Sequence, residues 1–352
     1  MKLQWSLLAP AGLLIVSGLV ILSSTSEHLF YLQLLWVGVG TTLATAIIWF
    51  DWRPLAEYPW FPGIIYLGGV FLLILTYIFA PVVRGNRAWL YIGPFGIQAA
   101  EFMKLGLILV YAYFLRSRHI VIARFSTIAK SALLLIVPAG IVTLQPDLGS
   151  ALVMLAIWFG LLLTSGLPWR YMGFAAIVGI LVIFLAWNFF LHDYQKDRII
   201  GLLFPESDPL GVNYSVIQSK IAIGSAGWFG KGYGQGTQVQ LGFLPEASSD
   251  FIFSAFTEEW GLAGAALLVV SFTALTFGIL KTGVRAETNL EKFICLGTAI
   301  LFVSHFFVNV GSALGLFPVI GVPFPFVSYG GSNFAVSSML FGLVYSIRAR
   351  YD

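Results

Sequence analysis

Long apolar runs, too continuous for half-buried strands or amphipathic surface helices, organise this chain from its first residues to its last. A helix needs about 20 mostly apolar residues to cross a hydrocarbon core. Stretches near that length fall at 6–23, 29–50, 61–82, 98–116, 129–145, 148–165, 170–190, 250–280, 293–313 and 328–347. They predict an all-α integral membrane protein, multi-pass, with about ten transmembrane helices. Only Gln145-Pro146-Asp147 divides the fifth run from the sixth. The first run follows Met1-Lys2-Leu3-Gln4-Trp5, as a signal-peptide core would. Ser23-Ser24-Thr25-Ser26 is not a convincing cleavage site, so the run reads as a retained helix. No internal repeat is visible, so the inverted-repeat signature of many secondary transporters is not evident.

The polar positions give the orientation. Cytoplasmic loops of membrane proteins carry an excess of Lys and Arg. With both termini in the cytoplasm, twelve of the 19 basic residues face inside, six face outside, and Lys104 lies within a span. The same topology puts a large extracytoplasmic loop, 191–249, between helices 7 and 8, inside a single polytopic membrane domain covering 1–352. Loops of that length with content of their own are usually functional. Within it, Val212 to Ile223 mixes apolar and polar residues at partly helical spacing, as a short helix on the bilayer surface would. A second outer loop runs over 315–327.

Composition narrows the function classes. Of 352 residues 59% are hydrophobic and 10% charged, where a soluble domain has about 25% charged. Mean hydropathy is +0.90. A net charge of +3 gives no case for a nucleic-acid partner, and the single Cys295 excludes an internal disulfide and any cysteine-based metal cluster. Glycine is abundant at 37 residues, which lets helices approach closely in lipid.

Ionisable groups inside the membrane are costly and need a reason. Glu101 and Lys104, three apart on one predicted helix, form either an internal ion pair that locks helices together or the wall of a polar cavity for a charged headgroup. Asp147, at a helix break before Leu148-Gly149-Ser150, suits an N-cap as well as a functional role. The stretch Gly230-Lys231-Gly232-Tyr233-Gly234-Gln235-Gly236-Thr237-Gln238 leaves backbone N–H groups accessible, as an anion-binding loop would. It continues through Leu244-Pro245-Glu246 to Asp250-Phe251-Ile252-Phe253. Asp250 stands where a polar loop enters an apolar helix. There it can cap the helix, or act as a general base with a carboxyl pKa raised by partial desolvation. Gly321 to Ser332 breaks an apolar region with Pro323, Pro325 and the Gly330-Gly331 pair. Irregular backbone at membrane depth is tolerated only against protein or a wet cavity, which marks this segment, Ser328 included, as cavity-lining.

Taken in order, these strings resemble the SEDS family (shape, elongation, division and sporulation), which includes RodA, FtsW and SpoVE. The resemblance covers most of the chain from about Arg84 onward. It rests on Gln145-Pro146-Asp147-Leu148-Gly149, Pro205-Glu206-Ser207-Asp208-Pro209-Leu210-Gly211, Gln218-Ser219-Lys220-Ile221, Leu244-Pro245-Glu246, Asp250-Phe251-Ile252-Phe253 and Pro325-Phe326-Val327-Ser328-Tyr329-Gly330-Gly331-Ser332. The surroundings of Lys220 and the Gly230–Gln238 stretch look most like the RodA branch. Two positions depart from the family pattern: Ala99 stands where proline is usual after the glutamine, and Ser249 where threonine is usual before the aspartate.

The resemblance implies a ten-helix fold in the bacterial cytoplasmic (inner) membrane. It also implies a peptidoglycan glycosyltransferase that polymerises lipid II and works with a class B penicillin-binding protein as transpeptidase. It makes Asp250 the essential aspartate. It assigns Glu101 and Lys104 to a functional polar pair and Asp147 to a family motif. Lys220, Lys231, Arg84 and Arg87 become candidate clamps on a departing pyrophosphate, with Gln238, Glu246 and Ser328 as further binding or cavity candidates. The sequence offers no convincing metal-ligand set, although a divalent cation such as Mg or Mn would suit the pyrophosphate. Two other readings stay open at this point: a lipid II flippase, and a scaffold that activates a partner synthase.

Overall fold

The structure is a computed structural model that describes residues 4–83, 86–93, 95–118, 125–166, 171, 173, 187–188, 193–204, 208, 211 and 213–351. The chain opens with α1 (Trp5–Thr25) and α2 (Glu27–Trp49), then a single turn α3 (Arg53–Ala56) and α4 (Trp60–Phe79). A hairpin of β1 (Trp89–Ile92) and β2 (Phe95–Gln98) leads directly into α5 (Ala99–Leu115). There follow α6 (Phe125–Leu144), α7 (Leu148–Thr164), α8 (Asp193–Leu203), α9 (Tyr214–Ser225) and the short α10 (Thr237–Gln240). The chain closes with α11 (Ile252–Arg285), α12 (Asn289–Ala313) and α13 (Gly331–Tyr351). Six of the described helices are long and apolar enough to cross a membrane. α5, α7 and α13 occupy three further expected spans, while the seventh, 170–190, lies almost wholly outside the described residues.

Burial inverts the soluble pattern. Leu67, Phe71, Leu133 and Ile136 on α4 and α6 are exposed, as residues facing lipid tails must be, whereas Glu101, Lys104, His305 and Asn333 are buried. α5 and α12 form the centre. α5 packs against α4, α6, α7, α12 and α13, and α12 packs against α5, α7, α11 and α13. α1 lies along α11, and α2 lies along α13.

Helix ends follow local chemistry. Ser26 caps α2, its hydroxyl accepting from the Leu29 amide. Thr288 caps α12: the Glu291 amide donates to Thr288 Oγ1, and that hydroxyl donates to Glu291 Oε2. The hairpin was not foreseen in the sequence, where the fourth span was expected from 98 with only loop before it. Its aromatic and branched residues suit strands, and Gly93 at φ 60° makes the turn. From Tyr214 onward the 212–223 segment forms a helix, α9, but it docks on protein. Its Ser219 is fully buried and bonds Ser254 and the Ala313 carbonyl, both at 2.6 Å.

α11 is 34 residues long, about 51 Å at 1.5 Å per residue, against a hydrocarbon core of about 30 Å. The excess is resolved by a break at Gly261, which takes φ 71°, a conformation cheap only for glycine. The break frees backbone groups, and the preceding loop pairs them. Lys231 and Gly232 amides donate to the Glu258 and Glu259 carbonyls at 2.9 and 3.0 Å. The Leu262 and Ala263 amides donate to the Gly227 and Trp228 carbonyls at 3.0 and 3.1 Å. A side chain at 261 would strike the Gly230 amide and the Trp228 carbonyl. Gly261→Ala is therefore expected to lower folded yield and Tm in detergent, the left-handed backbone alone costing about 1–3 kcal/mol. Fluorescence-detected size exclusion after heating reads this. A wild-type melting curve would mean that the helix does not depend on this break.

A carboxylate-lined groove as the candidate active site

Asp250 sits in the turn that leads into α11, partly buried, with its backbone tied on two sides. Asn309 of α12 donates through Nδ2 to the carbonyls of Ser249, Asp250 and Val322, at 3.3, 3.2 and 2.9 Å. Ser328 donates to the Ser249 carbonyl at 2.7 Å and accepts the Phe324 amide at 2.9 Å. The Tyr329 amide donates to the Ser248 carbonyl at 2.9 Å. Glu246 closes the turn from the other side. Its carbonyl accepts the Ser249 and Phe251 amides, and its Oε2 accepts the Ser249 hydroxyl at 3.3 Å. Ser249, which replaces the usual threonine, thus uses the hydroxyl the two residues share.

The 314–330 segment that supplies Ser328 is irregular, and the last helix begins at Gly331 rather than at 328. Phe326 takes φ 65°, which costs a bulky residue about 1–3 kcal/mol. Burial against Phe302, Phe334 and Phe341, with ring centroids 5.5, 5.8 and 6.2 Å away, offsets that strain.

Asp250 opens onto a groove of about 430 Å³ whose other polar walls include Asn86, Asp147, Gln195 and Arg198, with Trp89 and Tyr91 of the hairpin beside them. Asp147 is the N-cap of α7. Its Oδ1 accepts the Ser150 amide at 3.0 Å and its Oδ2 accepts Gln98 Nε2 at 2.9 Å. Gly149 lets this helix end approach the Ile320 carbonyl so closely that any side chain would collide with it. Arg198 of α8 donates to the Val319 carbonyl at 2.6 Å. It also lines a smaller adjoining cavity of about 90 Å³, together with Lys220. The Lys220 side chain crosses directly over Gly315.

The remaining sequence candidates fall elsewhere. Arg84 lies outside the described residues, and Arg87 is exposed and does not line the groove. Lys231 ion-pairs with fully buried Glu258 at 2.6 Å and donates to Thr237 at 2.7 Å. The Gln238 and Val239 amides donate to the same Glu258 carboxylate at 3.0 and 3.3 Å. The glycine-rich loop does bind an anion, but that anion is the protein's own Glu258.

Glu101 and Lys104 are each 1% exposed and do not line the Asp250 groove. Lys104 Nζ donates to Glu101 Oε1 at 2.7 Å and meets His305 Nε2 at 3.2 Å. Asn333 Nδ2 donates to Glu101 Oε2 at 3.1 Å and lies 3.3 Å from His305 Nδ1. This buried cluster joins α5, α12 and α13. Sequence reading missed Asn309, Arg198, Gln195, His305 and Asn333 as site or core residues. His305, Asn309 and Asn333 were detectable as polar residues inside apolar spans; Arg198 and Gln195 had no distinguishing local pattern.

The fold and groove define a polytopic membrane protein with an acidic residue fixed at one membrane face beside cationic side chains. The family model of the cell cycle proteins, which groups FtsW, RodA and SpoVE, matches residues 1–351, and the chain belongs to that family. It is 36% identical over 341 residues to the peptidoglycan glycosyltransferase MrdB of Escherichia coli K12, covering 97% of this chain and 92% of that one. It is 30% identical to the peptidoglycan glycosyltransferase RodA of Treponema pallidum, covering 90% and 89%. Among solved structures it resembles a chain from a peptidoglycan synthase complex described as coordinating polymerization and crosslinking, with TM-score 0.85, 32% identity, and 100% and 99% of the two chains covered. It also resembles the rod shape determining protein RodA of Thermus thermophilus, with TM-score 0.75, 28% identity and 100% and 98% covered.

Removing one partner of a buried ion pair costs about 3–5 kcal/mol, while removing both is often far milder. Lys104→Met is therefore expected to lower the detergent Tm markedly, and Glu101→Gln combined with Lys104→Met to recover much of the loss. A double variant as unstable as the sum of the two single variants would contradict the pairing.

Proposed function

We propose that this chain is a peptidoglycan glycosyltransferase that joins lipid II disaccharide units into glycan strands at the outer face of the cytoplasmic membrane, for cell elongation. The observation that carries this reading is Asp250, held by Asn309 and Ser328 at the wall of a groove that also presents Arg198. The carboxylate accepts the proton of the acceptor N-acetylglucosamine 4-hydroxyl. That oxygen forms a bond to the anomeric carbon of the donor sugar. The bond from that carbon to the phosphate oxygen breaks on the opposite side, with inversion, and undecaprenyl pyrophosphate departs.

A pyrophosphate leaves without a general acid but benefits from cations that stabilise its charge. Arg198 and Lys220, on the walls of adjoining cavities, are suited to that role. Asp147 is committed to the α7 cap and Gln98, so it serves the groove's shape rather than as a second acid. Among the described residues no group of three or more His, Cys, Asp or Glu is placed to hold a metal ion.

Both termini lie at the face opposite Asp250 in this reading, in the cytoplasm, where the excess of basic residues belongs. A class B penicillin-binding protein in the same membrane supplies the cross-linking activity. The closed state of the Glu101–Lys104 cluster disfavours the flippase, which needs an open polar path near the midplane.

Purified protein with its partner, supplied with labelled lipid II and moenomycin to silence other synthases, should give glycan ladders. Asp250→Ala and Asp250→Asn should each lose at least about 100-fold of that rate, with insertion and partner binding intact. Equal ladders from wild type and either variant would overturn the general-base role. Ser328→Ala, which loosens the Asp250 turn, should lower kcat about tenfold with little change in KM, and Ser328→Thr should restore much of it.

A further inference from the structure

A second cavity, of about 350 Å³, lies at the other membrane face. α11 leads away from Asp250 to Arg285, and α12 starts there at Asn289. Near the same face, Arg348 Nε donates to Gln4 Oε1 at 2.9 Å, which brings the two chain ends together. Three arginines from distant parts of the sequence line the cavity: Arg53 on α3, Arg116 just after α5, and Arg350 on the last turn of α13.

Arg53 is fully engaged and builds the wall. It ion-pairs with Glu291 at 3.1 Å and Asp51 at 3.2 Å and donates to the Ser346 carbonyl. Arg116 is differently placed. Among the described residues it donates to a backbone carbonyl, that of Glu57, at 3.1 Å, and it lies 4.2 Å from the Tyr113 ring centroid. Arg350 is exposed and has no carboxylate partner among the described residues. Among the described residues Glu57 is the one lining carboxylate not paired with a cation there, so these two guanidinium groups face a single negative charge from them. The first turn of α12 points its amide end at the same space and adds partial positive charge.

Depth identifies what the charge meets. Trp49, Phe50, Tyr58 and Trp60, the residues flanking α3, are all more than half exposed, Trp49 by 84%. Exposed aromatic side chains of this kind gather at the level of lipid headgroups. A cationic cavity at that level meets phosphate esters at high local concentration.

We propose that this cavity binds a phosphate group, and that its occupant is the headgroup of an anionic phospholipid in the leaflet it opens onto. Arg116 and Arg350 contact the phosphate, and Arg53 holds the wall that presents them. The site is independent of the glycosyltransferase groove and of the activity assigned to it.

The full-length protein, mixed with equal amounts of phosphatidylglycerol and phosphatidylethanolamine and analysed by native mass spectrometry, tests the proposal. Wild type is expected to retain one phosphatidylglycerol preferentially. Arg116→Ala with Arg350→Ala should lose that preference by about tenfold or more, whereas Lys281→Ala, a charge lost from the same end of α11 outside the cavity, should keep it. Arg350→Glu, at an exposed position, provides the same reading if the double variant fails to fold. Equal retention by wild type and Arg350→Glu would overturn the site. Inorganic phosphate separates the two sources of the ligand. If it raises the wild-type Tm but not that of Arg350→Glu, while phosphatidylglycerol has no effect on either, the site takes soluble phosphate and the lipid assignment falls.

Discussion

A backbone amide or carbonyl at membrane depth has no water to bond, and this constraint shapes the region around Asp250 more than any other. Two irregular stretches meet there, the turn before α11 and the 314–330 return. Neither can satisfy its polar groups alone. Asn309 joins both, its side-chain NH₂ reaching three carbonyls, and Ser328 adds a further link between them. Because the same bonds hold both stretches, the carboxylate and the groove wall are positioned together. The strained Phe326 backbone persists for the same reason, since the packed rings around it fix its place.

Charges inside the molecule obey a parallel rule: each is met by a partner from another element. Glu101 and Lys104 are adjacent on α5, but His305 and Asn333 bring in α12 and α13 to complete the cluster. Glu258 sits beneath the glycine-rich loop and takes both the Lys231 ammonium and two loop amides. The break at Gly261 leaves α11 with unpaired groups that the same loop fills. Loop and helix therefore stabilise each other, and the loop is anchored to the first turns of the helix that follows the Asp250 turn.

The two polar cavities divide the membrane faces by chemistry. At one face, Asp250 and Arg198 share a groove. At the other, guanidinium groups from three segments meet at headgroup level. The apolar belt between them is closed by the Glu101–Lys104 cluster and by aromatic packing such as Phe272 on Phe306, whose centroids are 4.3 Å apart. Among the described residues, these packed groups lie between the two polar ends.

Much of this was legible in the sequence because the solvent is lipid. Spans announce themselves by length and apolarity, and residues such as Asp147 and Asp250 stand out where apolar runs are interrupted. Cap chemistry at Asp147 was readable too, since a carboxylate before a helix has one favourable local use. Tertiary structure alone decided which distant groups meet. Nothing local couples Asn309 to Asp250, Gln98 to Asp147, or Arg198 to the groove, because each pairing depends on how separate helices pack. The glycine-rich loop shows the limit most clearly. Its sequence foretold an anion site, but only the fold could supply the anion, Glu258, from a helix 20 residues further on. Hydrophobicity fixes which segments enter the membrane, while the contacts made once they are there assign each polar group its partner.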